Sequence, residues 1–239
     1  LAIVLTLFVA PIYGSTAAAS LAQTPNALPV AASPAMASMT VGIGAEPAGL
    51  DPALADDGVT FYVTSQVYET LVTLEPDTAL PVPDLAQSWS VSPDGRTWTF
   101  FLRPGLTFHD GTTLDASAVR FNLERWWDPA HPYHNGEFAY FDFLFGGFRG
   151  DPNCLITGIS SAEPLQVQIT LQHAYSPLSS ILAIPAFAIA SPTAIQAGTL
   201  NAHPVGTGPF RFASWASGDA IRLDANIAYR GPASRVSPL

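Results

Sequence analysis

Residues 88–102, SWSVSPDGRTWTFFL, alternate in side-chain character with a period of two on both sides of a Ser-Pro-Asp-Gly turn. Successive strand residues point to opposite faces, so this period commits the stretch to β structure. Trp98, Phe100 and Leu102 share one face, and Thr97, Thr99 and Phe101 share the other. On the preceding strand Trp89 and Val91 alternate with Ser88 and Ser90, as a half-buried strand would. Pro93 at the second turn position and Gly95 at the fourth fit a type I turn. The stretch predicts an antiparallel hairpin whose aromatic residues build a sheet core.

The rest of the body mixes both periods. MTVGIG places Met39, Val41 and Ile43 on one face of a short strand, and EPAGLDPALADDG reads as loop. Val63, Val67, Tyr68 and Leu71 recur at helical spacing, predicting a helix from about Thr60 to Leu71. DASAVRFNLERWWDP has a capping Asp115, a stripe of Val119, Asn122, Leu123 and Trp126, and a stop at Asp128-Pro129. Residues 130–150 are aromatic and Gly-rich with weak period, which predicts an irregular loop. Two strands follow around Ala162-Glu163-Pro164, then a short helix in SPLSSILA, a strand in AFAIAS and a helix in PTAIQAG. FRFASW and AIRLDA pair as a hairpin. The fold class is α+β with mixed sheets.

Charge excludes one large class of function. The net charge is −10, and all nine basic residues are Arg. Phosphate neutralisation needs clustered cations, so nucleic acid is not a partner. The single cysteine, Cys154, excludes an internal disulfide framework and a Cys-rich metal site. No charged side chain precedes Glu46, and the chain opens on the apolar run LAIVLTLFVA, which continues to Gly14. As a helix that run would reach about 20 Å, short of the roughly 30 Å of a hydrocarbon core. Small residues in Ala17-Ala18-Ala19 and Ser20-Leu21-Ala22 suit a signal peptidase, so residues 1–22 read as an export signal. A membrane anchor is the alternative. Residues 23–38, rich in Ala, Pro and Ser, read as a tether.

No catalytic constellation stands out. His109 and Asp110 are adjacent, so in a strand their side chains diverge, and Asp110-Gly111 is sufficiently explained as a turn. Asp128, His131 and His134 match no zinc spacing, and Pro132 prevents a regular helical arrangement. Gly206-Thr207-Gly208-Pro209 has no Lys-Ser or Lys-Thr after it and is not a phosphate loop. Neither a cofactor nor a metal is expected.

Three segments in order resemble the extracytoplasmic substrate-binding proteins of peptide and nickel ABC transporters, solute-binding protein family 5. They are EPAGLDPALADDG with YETLVTLEPD, then PDLAQSWSVSPDGRTWTFFLRPGLTFHDGTTLDASAVRFNLER, then HPVGTGPFRFASWASGDAIRLDANIAY. The resemblance implies a two-lobed protein that closes on a ligand, acts as a monomer outside the cytoplasm and delivers the ligand to membrane permease subunits. It implies a first lobe from residues 39–69 and 171–239, an accessory α+β domain inserted at 70–170, and a second lobe that is missing. Asp56, Asp57 and Gly58 would face the cleft, and Tyr133 would approach a peptide ligand. Asp56 and Asp57 could meet a ligand ammonium group, or they could be solvated loop carboxylates. Arg230 stands where the family carries an aromatic residue, and PASRVSPL no longer follows the family pattern. The competing readings are an exported metal-dependent hydrolase using His109 or His131/His134, and a truncated fragment without function.

Overall fold

The structure is a computed structural model and describes residues 2–8 and 36–231. The chain runs β1 (Ala2–Phe8), β2 (Met36–Gly42), α1 (Gly58–Val67), β3 (Val72–Leu74), β4 (Pro81–Pro83), β5 (Ala86–Val91) and β6 (Thr97–Leu102). It continues with α2 (Ala116–Trp127), α3 (Ala139–Phe145), β7 (Ile156–Glu163), β8 (Gln166–Leu171), α4 (Leu178–Ile181), α5 (Pro192–Gln196), β9 (Phe210–Ala216) and β10 (Ala220–Ala225). One four-stranded sheet has the order β5-β6-β8-β7, another the order β2-β1-β10-β9, and β3 pairs with β4 alone.

The predicted hairpin is present. Gly95 takes φ +71° and donates its N–H to the Ser92 carbonyl at 2.8 Å. The Asp94 carboxylate accepts from the Ser92 hydroxyl and the Arg96 amide, which locks the turn. On β6 Trp98, Phe100 and Leu102 are buried, and β8 sets Val167 opposite Phe100 and Ile169 opposite Trp98. α2 lies across β7 and β8, adding Val119, Leu123 and Trp126 to the same core. The outer strand is drier on paper than in space: Trp89 is half-buried and Val91 exposed, because β5 is an edge strand.

A second, smaller core joins Leu50, Val63, Val67, Phe210, Ile221 and Leu223 beneath the sheet that holds β9 and β10. Asn122 spans the gap between the two cores and is fully buried. Its Nδ2 donates to the carbonyls of Ala118 and Ala190 at 2.9 and 2.8 Å, and its Oδ1 accepts from the Ala190 N–H at 3.0 Å. A side-chain amide thus does for Ala190 what a neighbouring strand would do.

Three expectations change, and one segment takes a form that no expectation addressed. The first helix stops at Val67, because the Val67 carbonyl accepts from Gly208 N–H at 2.8 Å and Tyr68 is already extended. Residues 130–150 contain α3, entered through Phe138 in a left-handed conformation (φ +45°) and left at Gly146 (φ +73°). AFAIAS is not a strand. Pro185–Phe187 form one 3-10 turn, and the residues after it make single bonds instead of a ladder: Ile189 to the Glu69 carbonyl, Ala190 to Asn122 and Ser191 to the Val205 carbonyl. Ala2–Phe8 is a strand between β2 and β10, antiparallel to the first and parallel to the second. The remainder of the expected export signal and most of the expected tether lie outside the described residues.

Replacing Asn122 by Ala would strand the Ala190 N–H and C=O in a dry interior. We expect a loss of about 2–4 kcal/mol in urea denaturation, since an orphaned buried polar group costs its full desolvation. A variant as stable as the parent would show that the bridge contributes nothing.

Candidate functional site

Asp51 caps the 3-10 turn Pro52–Leu54, its Oδ1 accepting from the Ala53 N–H at 3.2 Å. The same carboxylate receives Arg125 from α2: Nη2 donates to Oδ2 at 2.5 Å and Nη1 to Oδ1 at 3.4 Å. Both side chains are almost wholly buried, Arg125 at 3% and Asp51 at 5% exposure. The third guanidinium edge is also used, since Nε donates to the Tyr133 carbonyl at 3.0 Å. The guanidinium carbon lies 5.2 Å from the centre of the Phe138 ring, a cation–π contact. His134 Nδ1 donates to the Arg125 carbonyl at 2.8 Å. One buried cation therefore ties the loop before α1 to the loop after α2.

The three candidate residues before α1 sit at that helix's entrance. Asp57 is its N-cap: Oδ1 accepts from Thr60 N–H at 2.8 Å and Oδ2 from the Thr60 hydroxyl at 2.7 Å. Those bonds from Thr60 hold the Asp57 carboxyl below the usual range. Asp56 and Gly58 are exposed. Asp56 makes no hydrogen bond among the described residues, and with Asp57, Asp51, Gly49 and Asn201 it lines a depression of about 150 Å³. Tyr133 lies outside that lining. Its half-buried ring rests 5.8 Å from Phe121 and 5.9 Å from His131, and only its backbone reaches the Arg125–Asp51 pair. A smaller adjoining depression is lined by Asp51, Arg125, Asn135 and Asn201.

The catalytic alternatives are not assembled. His109 Nε2 donates to the Gly208 carbonyl at 3.0 Å, whereas Asp110 turns away to accept from the Ser191 hydroxyl at 2.5 Å. Burial lowers the His109 pKa. The His109 amide also donates to the Gly206 carbonyl, so Gly206–Gly208 is gripped by His109 on one side and by the end of α1 on the other. A Cβ on Gly206 would collide with Val67 and Tyr68, and one on Gly208 with the backbone of Gln66 and Val67. Asp128 pairs with Arg149 at 2.5 Å, and His131 and His134 face aromatic rings. Among the described residues no three metal-capable side chains converge. Cys154 is buried, and burial raises its thiol pKa.

Sequence reasoning missed Asp51 and Arg125. It also missed a cavity of about 290 Å³ bounded by Tyr68, Glu69, Thr73, Asp84, Pro185 and Tyr229. A signal for Arg125 did exist: Ala118, Asn122 and Arg125 fall at i, i+4 and i+7, so two polar residues occupy a buried stripe.

Residues 81–237 match the family described as bacterial extracellular solute-binding proteins, family 5 Middle. Di/tripeptide-binding protein 4 of Pseudomonas aeruginosa is 34% identical over 179 residues, covering 68% of this chain and 32% of that protein. The glutathione-binding protein GsiB of Escherichia coli O6:K15:H31 is 33% identical over 180 residues, 74% of this chain and 32% of that one. The structure of the periplasmic binding protein DppA from Helicobacter pylori, solved with the peptide STSA, superposes with a TM-score of 0.71 at 32% identity. That match covers 79% of this chain and 39% of DppA. The chain spans about a third of the length of the curated relatives it matches.

Replacing Arg125 by Met leaves Asp51 charged and buried without its partner, and we expect a loss of about 3–5 kcal/mol in stability. Adding Asp51→Asn to that variant should return part of the loss, because the two sites are in direct contact and not additive. Strict additivity in the double variant would show that the pair is not coupled.

Proposed function

The chain belongs to the bacterial extracellular solute-binding proteins, family 5, a family of binding proteins and not of enzymes, and from that membership we propose that it is the ligand-capturing part of an ABC importer's substrate-binding subunit. It works outside the cytoplasm after export, as a monomer, and hands a peptide or similar small polar solute to permease subunits in the membrane. The match to the family over residues 81–237 is the observation that carries this reading.

Within it, residues 39–69 and 171–239 form part of a first lobe and residues 70–170 an inserted accessory domain. The core built on Val63, Phe210 and Leu223 supports the first assignment, and the core built on Phe100, Leu123 and Val167 supports the second. Asp56, Asp57 and Gly58 face the ligand, with Tyr133 approaching it from the second loop. Exposure and lack of internal partners favour Asp56 as the carboxylate that meets an ammonium group, because it gives up no existing bond to do so. Asp57 is already used as a cap, and its carboxylate is held in the orientation its bonds from Thr60 require.

Thermal-shift measurement with di- and tripeptides, glutathione, opines, sugars and the nickel–histidine complex tests the class. A bound solute at a hundred times its Kd stabilises by about 2.7 kcal/mol. Well-folded protein that responds to none of them would sink the reading. Asp56→Asn should leave the melting temperature unchanged and weaken an amine-bearing ligand about tenfold or more, the worth of one charge-assisted bond. Asp57→Asn keeps a good N-cap and should weaken binding less.

A further inference from the structure

Beside the 290 Å³ cavity, and apart from the ligand-facing loops, three charged side chains from distant parts of the chain meet. Glu69 follows α1 and is buried, Asp84 lies between β4 and β5, and Arg230 lies past β10. Arg230 Nη1 donates to Glu69 Oε2 at 2.6 Å and Nη2 to Asp84 Oδ1 at 2.5 Å. The neighbouring Tyr229 hydroxyl donates to Glu69 Oε1 at 2.9 Å. These are the strongest ties of the segment 226–231 to the body, which otherwise holds it through Asn226: its amide donates to the Pro209 carbonyl and its side chain to the Gly208 carbonyl.

We propose that Arg230 is a latch that clasps this segment to Glu69 and Asp84, and that acidification withdraws Asp84 from the clasp.

Two carboxylates share one guanidinium, so one negative charge is in excess in a largely desolvated place. The groups facing Asp84 are few. Glu69 and Arg230 are the charged ones, and the Tyr229 phenol stands next to them. Arg103 Nε donates to the Asp84 backbone carbonyl, not to its carboxylate. The other cavity walls near it, Thr73, Ala183 and Pro185, are neutral. Arg211 lies on the far side of Arg230 and His109 beyond Glu69. Burial, reinforced by Glu69 and opposed by Arg230, pushes Asp84 up to about 7. Burial and the same two acids raise the Tyr229 phenol, so it stays a donor throughout.

The two consequences of pH run in opposite directions. Asp84 has a folded-state pKa above its unfolded value, so its contribution to global stability is complete below about pH 4 and is lost as pH rises through about 7. The latch behaves the other way. In the open form Arg230 swings away while Asp84 stays buried beside Glu69. Asp84 then loses the positive charge that lowers its pKa and binds its proton more tightly, so protonation favours that open form. Above about pH 7 Asp84 offers Arg230 a carboxylate; below it Asp84 is protonated and that attraction is lost. Ordinary acid denaturation would loosen the segment and the body together, whereas the latch loosens only the segment.

Hydrogen exchange of residues 226–231, compared at pH 8.0 and 5.5 after correction for intrinsic rates, reads the latch directly. The Asn226 and Tyr229 amides, bonded to Pro209 and Asn226, should lose protection about tenfold on acidification while those of β6 and β8 do not. Asp84→Asn should show the acid-like value at both pH values, and Arg230→Gln should be open at both. Protection that is equal at the two pH values in the parent, or that still falls with pH in Arg230→Gln, overturns the proposal. Arg230 is partly solvent-facing, so that variant remains informative even where Asp84→Asn does not fold.

Discussion

The buried pair of Arg125 and Asp51 is what the arrangement of the loops depends on. A guanidinium suits this position because its planar fork offers donors in three directions, here two to a carboxylate and one to the Tyr133 carbonyl, with an aromatic face beneath. Lysine would supply charge without the fork. A buried ion pair adds little net stability over a well-packed apolar one, but breaking it is expensive. What the pair does is select geometry: the loop ending in Gly58 and the loop carrying Tyr133 have one low-energy relation to each other. Two segments far apart in sequence are thereby tied to one buried guanidinium.

The parts of the fold that were legible are those where a single periodicity decides. The β5–β6 hairpin and α2 each carry one, and α2 carries both a start and a stop signal, so the Asp115 cap and the Asp128 end were readable to the residue. α3 was not legible. AYFDFLF is aromatic around most of its circumference and starts from a left-handed Phe138, which no propensity rule favours. The end of α1 was hidden for another reason. Its last carbonyl is taken by Gly208, a tertiary contact that local sequence does not announce. AFAIAS has strand composition, but its hydrogen bonds scatter to separate partners, Ile189 to the Glu69 carbonyl, Ala190 to the Asn122 side chain and Ser191 to the Val205 carbonyl, and form no ladder.

For the site, the family resemblance of EPAGLDPALADDG pointed to Asp56 and Asp57, and spacing weakened the histidine alternatives without excluding them. Arg125 and Arg230 were passed over because a lone arginine defaults to a solvated surface residue. Arg125 could have been found from its place in the buried stripe with Asn122. Arg230 could not, because its partners Glu69 and Asp84 come together only in three dimensions.

The grip on Gly206–Gly208 bears on how this chain can change. His109 and the end of α1 hold that short segment from opposite sides, and neither glycine has room for even a methyl group. Deep mutational scanning would therefore meet a sharp wall there: alanine, harmless at most exposed positions, would be among the least tolerated residues. The histidine opposite is under a similar restriction for its shape and its N–H rather than for any reactivity. Two short motifs far apart in sequence, HDG and GTGP, can then drift only together, as the halves of a hinge pin and its socket would.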